Sequence, residues 1–285
     1  MTKIIIATPS YTNKSGGSIA LHKLCHVLNN LNYDAYIYPT NNLNEGIFYW
    51  NPKYNIKIAN DIDIEKDLVI YPEVQPNNPF NGKNVVRYIL NNYHLHTNNN
   101  NNSIHNTWGK NDYWLYYSEQ FYDRIKEPNF LQIIDSKIDT FKDQKLKREY
   151  EACFTYRKAY SEIDTLSIIH PSNALEIYYN VTDTELISIF NICKRFYSYD
   201  TKTYLNVLAS LCGCESIIVP HKNIPKENII LLNSANQYGI AYGLDDLERA
   251  NLTRPLLRQY LKELEENQIK NTKIEFEKIF KYFNL

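Results

Sequence analysis

The chain is short of the residues that usually announce a chemistry. Its 285 residues hold only five cysteines, an odd number scattered through apolar segments, which suits reduced, buried thiols better than a disulfide framework. Cys212-Gly213-Cys214 is the only close pair, and without a second pair or well-spaced histidines no metal site is expected. Neither sign of charge is in excess: 31 Lys+Arg stand against 32 Asp+Glu. That balance lacks the basic footprint of polynucleotide binders, so the whole-chain reading is of a protein with no nucleic-acid partner. No apolar run approaches the length of a membrane span, so no integral membrane segment is expected. The apolar stretch Lys3-Ile4-Ile5-Ile6-Ala7 is too short for a signal core and runs into a turn, which points to a cytoplasmic protein.

Glycine is also scarce, at eight residues, so its placement is informative. Gly16-Gly17 stands between the first apolar run and the helical pattern that follows. A backbone without side chains at such a turn lets a ligand approach, and an ordinary strand-to-helix turn would use the same pair. The full dinucleotide fingerprint is missing, which argues against an NAD-dependent enzyme.

What is present is the composition of a folded globular protein, 44% hydrophobic and 22% charged, long enough for two cores. The first forty residues read as a βαβ opening. Ile4, Ile5 and Ile6 form a strand. Ala20, Leu24, Val27, Leu28 and Leu31 recur at helical spacing after Ser18, read as the N-cap, and residues 35–38 form the next strand. Short apolar runs at 68–71, 85–90 and 114–117, bounded by Pro, Asn, Asp or Gly, look like buried parallel strands. A charged, helix-compatible stretch at 133–151 separates these from a second set of strand candidates at 152–156, 166–169, 195–197 and 216–219. Helices are expected at 183–193 and 203–212, and polar helices from about Ala250. The fold class is therefore α/β.

The densest motif is Phe196-Tyr197-Ser198-Tyr199-Asp200-Thr201-Lys202-Thr203, followed by a helix apolar nearly all round and by Leu211-Cys212-Gly213-Cys214-Glu215-Ser216. This stretch resembles the C-terminal domain of GT-B glycosyltransferases, in particular those related to family 4. Tyr71-Pro72-Glu73, Asn78-Pro79 and Val85-Val86-Arg87-Tyr88-Ile89-Leu90-Asn91 resemble the first-domain signature of one bacterial and viral branch, and Tyr156-Arg157-Lys158 resembles the basic pair of the second domain. The resemblance covers most of the chain in the right order.

It implies two Rossmann-like domains facing across a cleft: residues 1–145 on the acceptor side, 146–268 on the nucleotide-sugar donor side, and a C-terminal helix at 269–285 packing back on the first. It also implies a metal-independent transferase with no cofactor, moving sugar from a nucleotide-sugar to a glycan or small-molecule acceptor in glycan synthesis. Arg157 and Lys158 would clamp the donor pyrophosphate. Tyr199, Asp200, Thr201 and Thr203 would line the donor turn, with Gly16 and Gly17 across from it. Glu73 and His94, or His96 in its place, stand after strands where open α/β sheets build sites and are the candidates for proton transfer. One departure stands out. The family's ribose-binding glutamate aligns with Leu208, which cannot accept a hydrogen bond. Two other readings share the fold: a non-catalytic nucleotide-sugar or glycan binder, and a nucleotide-sugar epimerase.

Overall fold

The computed structural model describes residues 2–40, 47–97, 103–157, 159, 167–201, 203–221 and 224–285. The chain forms two compact units, residues 1–135 with 264–285, and residues 136–263.

The first unit opens with β1 (Ile4–Thr8), α1 (Gly16–Asn30), β2 (Ala35–Pro39), β3 (Leu68–Pro72), β4 (Asn84–Ile89) and β5 (Tyr113–Tyr116). The strands form one parallel sheet in the order β2-β1-β3-β4-β5. Every residue of β1, β3, β4 and β5 is buried, because helices and loops cover both faces. The second unit contains β6 (Tyr150–Thr155), β7 (Leu175–Glu176), α2 (Asp183–Ile192), β8 (Cys193–Ser198), α3 (Leu205–Leu211), β9 (Glu215–Ile218), α4 (Lys226–Leu232) and β10 (Ile240–Tyr242). Its sheet, also parallel, runs β10-β9-β8-β6-β7. Read from its other edge this is the winding of the first sheet: the second strand lies outside the first, and the remaining three follow on the opposite side. Each sheet thus has a switch point between its first and third strands, where open α/β sheets leave a crevice at the strands' carboxyl ends.

The chain ends in one continuous helix, α5 (Leu247–Phe283), where several had been expected. Its last turns belong to the first unit, where Phe276 and Ile279 are fully buried with Ile4, Leu28 and Leu115. Tyr113 donates to Glu275 at 2.6 Å, and Lys278 reaches the other carboxylate oxygen at 2.8 Å. No described helix is long and apolar enough to cross a membrane. All five cysteines are free and buried.

Local structure departs from the sequence reading at several places. The stretch at 133–151 forms no helix. Side chains from the second unit capture its backbone instead: Arg258 donates to the carbonyls of Ile138 and Phe141, and Asn191 accepts from the amide of Gln144. Phe141, fully buried, anchors it. Residues 167–169 carry no strand, Leu166 lies outside the described residues, and β7 takes the edge of the sheet. Strand β10 is too short to show in a hydrophobic pattern. It is bracketed by Gly239 and Gly243, whose φ of 70° and 78° turn the chain in and out of the sheet. The cap of α1 is Ser15, whose side chain accepts from the amide of Ser18. Ser18, one turn further on, donates to the carbonyl of Ser10 at 3.1 Å and accepts from the amide of Thr12 at 3.1 Å, so it ties down the loop that precedes the helix.

A buried arginine organises the first unit. Arg87, in the middle of β4, is wholly inaccessible, and burial lowers its pKa from the usual arginine value. Its Nε donates to Asp112 at 2.6 Å, and its terminal nitrogens donate to the carbonyls of Gln75 at 3.2 Å and Asn77 at 2.6 Å. The guanidinium also lies 4.9 Å from the ring centre of Tyr71 and 5.3 Å from that of Trp108. Breaking a buried pair leaves a charge unpaired, which costs about 3–5 kcal/mol. Arg87→Met is expected to lose stability of that order in urea unfolding; a loss under about 1 kcal/mol would show that Asp112 finds another partner.

Candidate functional site

In the second unit the switch point lies between the carboxyl ends of β6 and β8. Thr155, at the end of β6, donates its hydroxyl to the carbonyl of Ile177 at 2.8 Å, and its own carbonyl receives the amide of Tyr199 at 3.0 Å, which locks the two strand ends together. Beyond β6 the chain turns at Arg157, whose φ of 42° is left-handed and unusual for a residue with a side chain. Beyond β8 the chain folds tightly. Ser198 donates to the carbonyl of Asp200 at 2.8 Å, and the hydroxyl of Thr203 accepts from the amide of Leu205 at 3.3 Å. Asp200, Thr201 and Thr203 are all buried.

Arg157 Nη1 donates to Thr203 Oγ1 at 3.3 Å, so two of the predicted donor residues meet directly. The guanidinium also rests 5.3 Å from the ring centre of Tyr179, which is 53% exposed. An arginine held by one ring and one hydroxyl keeps donors for a further anion. Tyr179 was not singled out from the sequence; the neighbouring Tyr178-Tyr179 pair, both exposed, was the available signal. Lys158 lies outside the described residues, as does Lys202.

Tyr199 is placed differently from the rest. It is only 2% exposed, packs at 4.8 Å against Tyr156, and its hydroxyl accepts from the amide of Ile169 at 3.1 Å and pairs with Nδ1 of His170 at 2.7 Å. Its ring supports the loop after β6, and its polar end is already engaged. His170, which sequence reasoning missed, stacks on Phe154 at 3.8 Å, and burial lowers its pKa. Leu208 is buried at 4% exposure within α3, every residue of which is buried.

In the first unit the corresponding switch point joins the ends of β1 and β3. A Cβ added to Gly16 would meet nothing within 4 Å, and one on Gly17 would lie 3.6 Å from Leu90, an ordinary contact, so packing alone demands neither glycine. Leu90 links this turn to Glu73: its amide donates to Glu73 Oε2 at 3.1 Å. Glu73 is 5% exposed, and burial raises its pKa against the pull of that hydrogen bond. Its other oxygen faces His96 Nε2 at 3.7 Å.

His94 does not join this group. It is half exposed, lies 3.3 Å from Asp123, and packs against Tyr93 and His105. His94 lies within the short turn over Tyr93–Leu95 and His96 follows as its cap, so their rings meet different neighbours. The pairing beside the carboxylate therefore belongs to His96, the alternate read from the sequence. Among the described residues, no three or more His, Cys, Asp or Glu side chains form a cluster able to hold a metal ion.

With this geometry in place, the comparisons bear on the fold. No family model matches the sequence, and no curated protein sequence does. Solved structures do. T4 phage BGT in complex with its UDP-glucose substrate is 10% identical, with a TM-score of 0.51 and 100% of each chain covered. A structure of the DNA-modifying enzyme β-glucosyltransferase, solved with and without uridine diphosphoglucose, is also 10% identical, with a TM-score of 0.50 and the same coverage. At that identity the likeness is one of architecture: this chain has the α/β fold of GT-B glycosyltransferase structures, with two parallel five-stranded sheets.

The raised pKa of Glu73 carries a pH signature. A carboxyl whose folded pKa exceeds its unfolded value favours the folded state fully below the ordinary value of 4.5, and that contribution is lost as pH rises through the folded value. Glu73→Gln keeps the acceptor for Leu90 and removes the titration. The parent is expected to lose urea stability relative to this variant as pH rises from about 4 towards neutrality. A pH-independent difference would mean that Glu73 is not held above its ordinary pKa.

Proposed function

We propose that the protein is a glycosyltransferase that takes sugar from a UDP-linked donor held by the second unit and delivers it to an acceptor hydroxyl held by the first. The observation that carries this reading is Arg157 bonded to Thr203 at the switch point of a GT-B fold, with its remaining donors available for a diphosphate. UDP-glucose is the donor to test first, because it is the substrate in one of the similar structures.

In the proposed reaction the acceptor oxygen attacks the anomeric carbon as the bond to the diphosphate breaks, and UDP leaves. Arg157 offsets the charge that builds on the departing diphosphate. His96 receives the acceptor proton, and the facing Glu73 carboxylate, 3.7 Å away, stabilises the imidazolium that forms. The proton then passes to water. Thr201 and Thr203 supply hydrogen bonds to the phosphates.

Arg157→Ala removes one charge-assisted contact worth about 1.5–3 kcal/mol, so UDP affinity in calorimetry is expected to fall about ten- to a hundredfold. Unchanged affinity would move the donor site elsewhere. Because an arginine supplies the positive charge at the leaving group, transfer is expected to persist in EDTA. Activity abolished by chelation and restored by manganese would overturn that part of the reading.

A second reading, a binding protein of the same fold without turnover, is favoured by one observation: Leu208 stands in the core where a ribose-binding glutamate was expected. UDP binding with neither hydrolysis nor transfer of UDP-glucose to any acceptor would select it.

A further inference from the structure

Away from the donor turn, the second unit holds a cavity of about 360 Å³ lined by the end of α3, by Gly213 and by the first turns of α5. Its ionisable lining is Arg254 and Arg258, about one turn apart on α5, together with Asp143. Leu211, Pro255 and Leu257 supply an apolar wall. Small-molecule sites occupy roughly 300–1,000 Å³, so this volume suits a small organic ligand and exceeds the needs of a bare inorganic anion.

The cavity is separate from the proposed donor site. Helix α3 starts two residues after Thr203 and reaches the cavity only at its far end, with Ser210 and Leu211, about 10 Å along the axis. Gly213 precedes β9, so the cavity belongs to the amino ends of the strands, whereas the switch point lies at their carboxyl ends.

Both guanidiniums are fixed by neutral groups. Arg254 donates to the carbonyl of Gly213 at 3.3 Å and to the side-chain oxygen of Asn251. Arg258 donates to the carbonyls of Ile138 at 2.6 Å and Phe141 at 3.1 Å. These bonds orient the planar groups without neutralising them, and each guanidinium keeps further N–H donors. Two carboxylates stand close by, and other cations hold them. Asp143 meets Lys145 at 2.8 Å and Arg148 at 3.4 Å, and Glu215 meets Arg195 at 2.9 Å. Like charges one turn apart on a helix repel, so the pair of arginines is a cost to the free protein that an anion would relieve. Two polar atoms of the same lining residues, Ser210 Oγ and Arg254 Nε, are buried with no hydrogen-bond partner. Buried polar groups left unmatched destabilise a fold, and the packing of the unit does not account for them.

The chemistry of the lining names the occupant. A dianion answers two guanidiniums, and the oxygens of a phosphate accept from planar forks on more than one side. A neutral sugar would leave both charges unmet. We infer that this cavity binds a small phosphate monoester, its phosphate met by Arg254 and Arg258 and its organic part laid against Leu211 and Pro255. The site goes beyond the transferase reading and does not depend on it.

Calorimetry with glucose 6-phosphate, inorganic phosphate and glucose tests the inference. The parent is expected to bind glucose 6-phosphate more tightly than inorganic phosphate, to ignore glucose, and to lose affinity as salt rises. Arg254→Gln should weaken binding of glucose 6-phosphate about ten- to a hundredfold. Asp143→Asn keeps an acceptor for Arg148 and removes a like charge from the lining, so it should tighten binding severalfold, a gain that a damaged fold cannot imitate. Arg157→Ala should bind glucose 6-phosphate as the parent does. UDP affinity, measured with glucose 6-phosphate saturating, should be the same in the parent and Arg254→Gln. No binding by the parent, or equal binding by the parent, Arg254→Gln and Asp143→Asn, would overturn the inference. Equal affinity for inorganic phosphate and the ester would overturn the assignment of an organic ligand. Binding lost in Arg157→Ala and kept in Arg254→Gln would place the phosphate at the donor turn, overturning this inference and supporting the donor reading. Failure to bind UDP alongside normal binding of glucose 6-phosphate would overturn the donor reading alone.

Discussion

The first unit depends on how one arginine is kept charged inside a sheet. Burying a guanidinium costs several kcal/mol unless its donors are matched, and Arg87 meets that requirement with a carboxylate and two backbone carbonyls. Those carbonyls belong to Gln75 and Asn77, in the loop that leaves β3. Trp108 donates its indole N–H to the same Gln75 carbonyl at 3.0 Å, and the Tyr71 hydroxyl bonds Asn78 at 3.0 Å. A loop so held has little freedom, and Glu73 lies at its start. The cost of burying Arg87 thus becomes positional precision at the carboxylate facing His96. It also explains why Tyr71, Glu73, Asn78 and Arg87, noticed separately in the sequence, belong to one network.

The two sheets share a winding and differ in what stands at the switch point. In the first unit the strand ends carry a buried carboxylate and a histidine facing it. In the second they carry an arginine, threonines and a buried aromatic floor. The architecture provides two equivalent crevices and does not dictate their contents. The division matches the needs of the proposed group transfer, in which a leaving diphosphate would call for positive charge and an incoming hydroxyl for a proton acceptor.

Much of the fold was legible because its strands are buried on both faces. Ile4, Ile5 and Ile6, or Val85 and Val86, leave no doubt once bounded by turn residues, and the parallel order follows from the alternating helices. The errors share a cause, which is that the deciding partner lies far away in sequence. The 133–151 stretch has helix-compatible residues, but Arg258 and Asn191 claim its backbone. Ser18 has a cap's chemistry but lies one turn too late. His94 and His96 differ by two positions in an irregular segment, and no periodicity tells which faces Glu73. Arg157 and Thr203 could be named because a resemblance marked them; their contact, across 46 residues, could not.

Leu208 bears on how a donor would be held. Helix α3 is buried on every side, and Asn206 within it is already engaged by Ser216 at 3.2 Å and reaches the carbonyl of Thr203 at 3.4 Å. A glutamate at 208 would place a carboxylate in this core at a large desolvation cost, repaid only with a partner. Leucine removes that cost and lets the helix pack as an apolar rod beneath the turn that Thr203 closes. Any grip on a donor ribose must then come from groups at the surface of the unit, where Arg157 and the exposed Tyr179 already lie side by side. A planar cation stacked on an exposed ring favours flat or anionic ligand groups over a sugar diol. On this arrangement, recognition of the proposed donor would rest on the diphosphate and the base more than on the ribose.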